Sequence, residues 1–355
     1  MPALPDPNVW RGRRVVITGH TGFKGGWLAH WLATMGAEVH GVSAPPPCAP
    51  GVYGLAAVRD VLAGEHPVDV RDPAATADAL RKAAPEVVFH LAARAIVRRG
   101  FDDPGTTWDV NVGGTVNVLR SLPDSVRAVV VVTSDKCYRD VANGQRMRED
   151  DALGGADPYS ASKAAQELLA AAFRDSTLAE RGIALATARA GNVFGGGDCA
   201  PNRLVPDVVR AALARTPLIV RNPEAVRPWQ HVLNPLSGYL VLAERLLEGE
   251  ATEAWNFGPE ASDERPVSWL LERLAERWPG GLEIRVQRDE FGAKEEPVLR
   301  LDSAKARAGL GWTPRWDLEA GLQATVEWYT GSAREATVSQ IAAYSREPAP
   351  TPTGR

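Results

Sequence analysis

Short apolar runs rich in β-branched residues recur along the first half of the chain, each followed by a stretch with helical spacing. Arg14-Val-Val-Ile-Thr18 ends at glycines, and Trp27 to Met35 follows as a helix with Gly36 as its stop. Glu38-Val-His-Gly-Val42 is the next run, and the proline-rich segment from Ala44 to Pro50 cannot continue a sheet. Val87 to Leu91, Ala128 to Thr133 and Ile183 to Thr187 repeat the pattern, with Val110 to Ser121 and Ser160 to Phe173 reading as helices between them. Runs that are apolar throughout, rather than alternating, predict strands covered on both faces. The expected fold is therefore α/β, a doubly wound parallel sheet. After about Gly195 the pattern breaks into glycine turns, prolines and short helices, of which Val232 to Leu247 and Trp269 to Trp278 are clearest. The expected division is a first domain over 1–190, with segments near 230–260 returning to it, and a smaller, interleaved C-terminal substrate domain over 191–345. A proline-rich tail over 346–355 should fray.

Composition narrows the class. A chain of 355 residues with 45% hydrophobic and 24% charged content can bury a large core. The net charge of -4 and the scattering of 40 basic residues argue against a general nucleic-acid surface. Cys48, Cys137 and Cys199 are widely spaced without a CxxC, so neither a disulfide framework nor a zinc site is expected, and a reducing cytoplasm fits best. No apolar run reaches the roughly 18 residues of a membrane span, and no metal site is expected.

Chemistry enters at the first turn. Gly19, Gly22 and Gly25, within Thr18-Gly-His-Thr-Gly-Phe-Lys-Gly25, lie directly between a strand and a helix. There glycines allow a tight turn and let backbone N–H groups meet a pyrophosphate at the helix N-terminus, as in Rossmann dinucleotide sites. Ser43-Ala44 closes the second strand with neither an acid for a ribose hydroxyl nor an arginine for a 2′-phosphate, which favours NAD. Asp69-Val70, at the end of the expected third strand, is either an adenine contact or a turn.

The second constellation is Tyr159-Ser-Ala-Ser-Lys163 at a helix start. Four-residue spacing places both side chains on one face, where the ammonium lowers the phenol pKa and the phenolate takes an alcohol proton. Ser134 ends the neighbouring strand and is placed to bond the same substrate hydroxyl or to cap the next segment. Asp135 and Lys136 add an acid and a base that a plain dehydrogenase does not need, which points to elimination of water. Asn111 either opens its helix for a proton path or bonds to backbone.

With these residues assembled, the chain resembles the extended short-chain dehydrogenase/reductases, and within them the CDP-glucose 4,6-dehydratases. The likeness rests on Ile17 to Gly25, Phe89-His-Leu-Ala-Ala93, Thr133-Ser-Asp-Lys-Cys-Tyr138, Asp157-Pro-Tyr-Ser-Ala-Ser-Lys163, Arg189-Ala-Gly-Asn-Val-Phe-Gly-Gly-Gly-Asp198 and Arg227-Pro-Trp-Gln-His-Val232. It implies NAD held by Gly19, Thr21, Gly22, Phe23, Lys24, Gly25, Asp69, Val70, Leu91, Ala92 and Ala93 together with Tyr159 and Lys163. It implies oxidation by Ser134, Tyr159 and Lys163, and dehydration by Asp135 and Lys136. Asn192, Arg203 and Arg227 match positions facing a substrate diphosphate, and Glu295 a position near the nucleotide, although a solvated charge run explains Glu295 as well. Trp229 and His231 either join that site or simply pack. Departures from the pattern at Arg94, Gly100-Phe101, Cys199, Lys294 and Tyr53-Gly54 bear on sugar and base identity, with Arg94 placed to meet the substrate. The resemblance also implies a homodimer. An epimerase or net oxidoreductase on the same scaffold is the alternative activity, and a non-catalytic NAD-binding regulator the second.

Overall fold

The computed structural model describes residues 3–139, 144–287 and 298–346. Seven strands form one sheet: β1 (Arg14–Thr18), β2 (Glu38–Ser43), β3 (Gly64–Pro67), β4 (Val87–His90), β5 (Ala128–Val132), β6 (Ala184–Arg189) and β7 (Ala254–Asn256). Their spatial order is β7-β6-β5-β4-β1-β2-β3, and every neighbouring pair is parallel. The order reverses direction at β1, and such a switch point opens a crevice at the carboxyl ends of the strands.

The apolar runs show why the sheet is buried on both sides. Val15 and Ile17 of β1 and Ala128, Val130 and Val132 of β5 point into one core, while Val16, Val129 and Val131 point into the other. Helices α1 (Phe23–Thr34), α2 (Pro73–Ala83), α3 (Gly114–Arg120) and α4 (Pro158–Phe173) supply the cover, α2 starting at an Asp72 cap and α4 at an Asp157 cap. Each fully buried valine contributes on the order of 2 kcal/mol, and a charge at Val130 would have no partner on either side.

Three expectations change in detail. The third strand ends at Pro67, so Asp69 and Val70 lie beyond it. The segment expected as one helix from Val110 opens with a π-helical turn, Asp109–Gly113, before α3. Cys48 and Cys199 form a disulfide across 151 residues, leaving Cys137 as the free, buried thiol. Folding brings together cysteines that no local spacing pairs, and the cysteine argument for a reducing compartment lapses with that bond.

Beyond β6 the chain builds α5 (Leu204–Ala214), α6 (Leu233–Leu247) and, after β7, α7 (Val267–Arg277). α6 packs under β5 and β6, and β7 extends the sheet, so the chain returns to the first core. A separate apolar core gathers Val208, Leu218, Trp229, Leu270, Trp278 and Leu322. Two-stranded pieces such as Val226–Pro228 against Glu264–Pro266 brace it. Among the described residues no helix is long and apolar enough to cross a membrane. The expected tail beyond 346 lies outside the described residues.

Candidate active site

The β1–α1 turn is built for close approach. Gly19 has φ +78°, and a Cβ there would stand 2.8 Å from Ala92 N. A Cβ on Gly25 would come within 2.2 Å of Gly19 O. Gly22 begins α1 without a side-chain cap, so the first N–H groups of a 12-residue helix face the crevice. This donor set fits a dinucleotide pyrophosphate. Thr21 and Ser43 share a hydrogen bond of 2.8 Å at the edge where β2 ends. Across the crevice, Leu91 and Ala92 are pinned to Thr18 through their backbone N–H groups, and Ala93 follows them.

Asp69 is committed to Arg71, whose guanidinium bonds it at 2.7 and 3.0 Å and holds its carboxyl below the usual range. Val70 is buried against Gly114, and its carbonyl accepts from Asn117 at 2.9 Å. Together they close one wall of the crevice.

The reacting groups converge at the end of β5. Asp157 accepts from the N–H groups of Tyr159 and Ser160, which fixes the first turn of α4 and points Tyr159 inward. Ser134 Oγ donates to Asp135 Oδ1 at 3.0 Å and accepts the Lys136 N–H at 3.2 Å, and its hydroxyl acts to hold the Tyr159 phenol down. Ser134 is thus the cap of the short turn Asp135–Cys137. Asp135 Oδ2 is buried without a partner. Lys136 is half-buried, and its ammonium makes no hydrogen bond or ion pair among the described residues.

One expected contact is differently arranged. Lys163 Nζ donates to Val132 O at 3.2 Å and to Gln166 Oε1 at 2.8 Å. Burial pushes this ammonium down to about 8, partly countered by Glu167. Burial likewise pushes Tyr159 up to about 12, with the Ser134 hydrogen bond and the Arg203 charge pulling the other way. The phenol is therefore not lowered by Lys163 here, because desolvation outweighs a charge directed elsewhere. Lys24, in the first turn of α1, donates to Tyr239 at 3.3 Å, and desolvation with the nearby Arg203 charge lowers it to about 7.

The outer rim carries the arginines. Arg203 pairs with Asp198 at 3.1 Å and reaches Ala95 O at 3.1 Å. Arg227 is buried on the strand Val226–Pro228, and Asn192 holds φ +47° just past β6. Arg94 is less available than its sequence position implied, because Asp103 binds its guanidinium at 2.9 Å. Glu295 and Lys294 lie outside the described residues. Asn111 is tied to Arg94 N at 2.8 Å and to Ser162 Oγ at 2.9 Å, so it braces the π-helical turn. His231 packs among Trp27, Phe194 and Trp316, and Trp229 bonds Arg265 O at 2.9 Å.

One residue escaped the sequence reading. A Cβ on Gly191 would stand 1.7 Å from Asp135 Oδ2, so this glycine makes the space the carboxylate occupies. Its place in the run Arg189 to Asp198 was the available signal.

The family described as NAD dependent epimerase/dehydratase matches residues 15–258. The chain is 42% identical over 333 residues to the CDP-glucose 4,6-dehydratase of Salmonella typhimurium, covering 91% of this chain and 92% of that one. It is 28% identical over 280 residues to a dTDP-glucose 4,6-dehydratase of Xanthomonas campestris, covering 74% and 77%. The UDP-glucose 4-epimerase of Thermus thermophilus, solved with NAD, superimposes with a TM-score of 0.77 at 23% identity, covering 90% of this chain and 99% of that one. At that identity the likeness shows the fold.

Proposed function

The chain belongs to the NAD dependent epimerase/dehydratase family, and from that premise we propose that it is a nucleotide-sugar 4,6-dehydratase acting on CDP-glucose. The observation that carries the reading is the Asp135 carboxylate, held by Ser134 beside Tyr159, with one buried oxygen left unpartnered. A simple dehydrogenase has no use for an acid at that point.

NAD, when bound, supplies the hydride acceptor and donor that link C4 to C6 of the sugar. The residues that would hold it are Gly19, Thr21, Gly22, Phe23, Lys24 and Gly25 of the turn, Asp69 and Val70 on one wall, and Leu91, Ala92, Ala93, Tyr159 and Lys163 on the other. Tyr159, as the phenolate, takes the proton of the C4 hydroxyl while Ser134 orients that hydroxyl. The ketone at C4 makes the C5 proton acidic. Lys136, as the neutral amine, removes it. Asp135, as the acid, protonates the C6 hydroxyl so that it leaves as water. Lys136 then returns its proton to C5, and the product is the CDP-4-keto-6-deoxy sugar with no net use of cofactor.

Arg203, Arg227 and Asn192 are assigned to the diphosphate, since arginine binds such oxygens bidentately. Arg94, paired with Asp103, lines the rim as a sugar-side residue. A homodimer completes the reading. The dimer is supported by Phe101, Trp108 and Leu168, large apolar side chains exposed on the adjoining helices Val97–Asp102, Pro104–Trp108 and α4.

The test is incubation of purified protein with CDP-, dTDP- and UDP-glucose, following the alkaline absorbance of a 4-keto-6-deoxy product beside that of NADH. Keto-sugar from CDP-glucose without NADH accumulation is expected. Stoichiometric NADH, or a C4 epimer, would replace the dehydratase by an oxidoreductase or epimerase.

A further inference from the structure

The residues assigned to oxidation and to elimination stand on different elements. Tyr159 and Lys163 belong to α4, whereas Asp135 and Lys136 lie in the turn that leaves β5. Both sets must meet one sugar ring, so the register between helix and turn has to be held by the protein.

A buried ion pair lies between them. Glu167 follows Lys163 by four residues and Tyr159 by eight, which puts all three on one face of α4. Its carboxylate accepts from Thr133 Oγ1, from Thr187 Oγ1 at 2.7 Å and from Arg189 Nη2 at 2.8 Å. Thr133 immediately precedes Ser134, the cap of the turn. The other arm of the guanidinium, Nη1, donates to the Tyr138 hydroxyl at 2.8 Å, and Tyr138 immediately follows the turn. Asn256 Nδ2 donates to Met147 O and Asp302 O, each at 3.0 Å, so its Oδ1 faces the tyrosine and accepts the Tyr138 O–H at 2.7 Å. Thr133, Tyr138, Glu167, Thr187 and Arg189 are each no more than 5% exposed.

Desolvation offsets most of the attraction in such a pair, and fixing register is its best attested use. Here it grips the entry and the exit of the turn together, and ties both to the helix face that carries Tyr159 and Lys163. Arg189 also ends β6, two residues before Gly191, which leaves the space that Asp135 Oδ2 occupies.

We propose that Glu167 and Arg189 are positioning residues: through Thr133 and Tyr138 they hold the Asp135–Lys136 turn in register with Tyr159 and Lys163. The role rests on the dehydratase reading. Cutting the two links leaves the Thr133 backbone N–H on Ala188 O at 3.0 Å, so the end of β5 stays in place and the turn beyond it is released. A displacement of about 1 Å there costs on the order of 100-fold in the loss of water, while oxidation at C4 depends on α4 and the cofactor.

The test follows CDP-glucose on the NAD-loaded enzyme with two readouts: enzyme-bound NADH in a single turnover, which reports oxidation at C4, and keto-sugar formation, which reports the whole sequence. Thr133→Val and Tyr138→Phe each cut one link while keeping the ion pair. In the double variant keto-sugar formation is expected to fall at least about 100-fold and oxidation less than about 10-fold, so that NADH accumulates on the enzyme. Thr133→Ser beside Tyr138→Phe restores one link and should recover at least about 10-fold of the loss. A merely structural network would lower both readouts together, in the proportion of unfolded protein that urea melts give. Should the double variant fail to fold, the two single variants carry the same comparison. Equal losses in the two readouts, or keto-sugar formation within about threefold of wild type, would overturn the positioning role and leave the dehydratase reading intact. Failure of the wild-type enzyme to form keto-sugar would overturn that reading, and the positioning role with it.

Discussion

Gly191→Ala separates the placement of Asp135 from its chemistry. The backbone at 191 has no positive φ, so alanine is conformationally permitted. The added Cβ, however, would stand 1.7 Å from Oδ2, 2.1 Å from Cγ and 2.6 Å from Oδ1 of Asp135. Ordinary contact needs more than about 3 Å, so the carboxylate must swing away by roughly 1.5 Å. Misplacing a reacting group by about 1 Å costs on the order of 100-fold. We therefore expect kcat for keto-sugar formation to fall at least about 100-fold. Overpacking should cost about 1–3 kcal/mol of stability, visible in urea melts but short of unfolding. Gly113→Ala, where a Cβ meets nothing within 4 Å, is the control and should leave kcat alone. A Gly191→Ala enzyme with kcat within about threefold of wild type would refute the assignment of Asp135 as the acid.

Further expectations concern binding, pH and redox state. Arg203→Ala should raise KM for CDP-glucose about 10- to 100-fold with a smaller change in kcat, the loss of one charge-assisted contact; an unchanged KM in steady-state kinetics would remove Arg203 from the diphosphate. Burial holds His90 and His231 down to about 3, against about 6.5 when unfolded. The unfolded chain then binds protons that the folded chain refuses, so this contribution is full above pH 6.5 and is lost as pH falls below it. Glu244, pushed up by burial to about 7, works in the opposite sense. The readout is therefore a difference: His231→Phe should lose about 2 kcal/mol less than wild type between pH 7 and pH 5 in urea melts, and equal losses would contradict the buried neutral imidazole. Denatured but unreduced protein should titrate as one thiol, Cys137, and reduced protein as three. Reduction of Cys48–Cys199 should lower stability by on the order of 2–4 kcal/mol; three thiols before reduction would exclude the bond.

The parts of the fold legible beforehand were those encoded locally. Val15, Val16 and Ile17 are all apolar because successive side chains of β1 enter opposite cores, and an unbroken run of this kind marks a strand buried twice. The glycine turn and the Tyr159–Lys163 spacing are likewise contained within single helix–turn units. What stayed hidden depends on contacts between distant segments. The Cys48–Cys199 bond joins two loops 151 residues apart. Gly191 matters because Asp135 occupies the space beside it, and nothing in either segment alone says so. Lys163 has the right spacing, but its direction is set by Val132 O and Gln166, and burial then decides the sign of the shift on Tyr159. Arg94, which the sequence places to meet the substrate, is bound by Asp103, nine residues on, through the fold of the intervening helix. The π-helical turn Asp109–Gly113 has the apolar spacing of an ordinary helix and is distinguished by the demands of Asn111, which bonds Arg94 and Ser162 at once.

The central claim, that oxidation at C4 and reduction at C6 occur on one sugar molecule, is tested most directly with CDP-glucose carrying deuterium at C4. The account predicts a 4-keto-6-deoxy product with that deuterium at C6, seen by NMR and mass spectrometry, and no accumulation of reduced cofactor. Deuterium retained at C4 in an epimer, or appearing in released NADH, would contradict it.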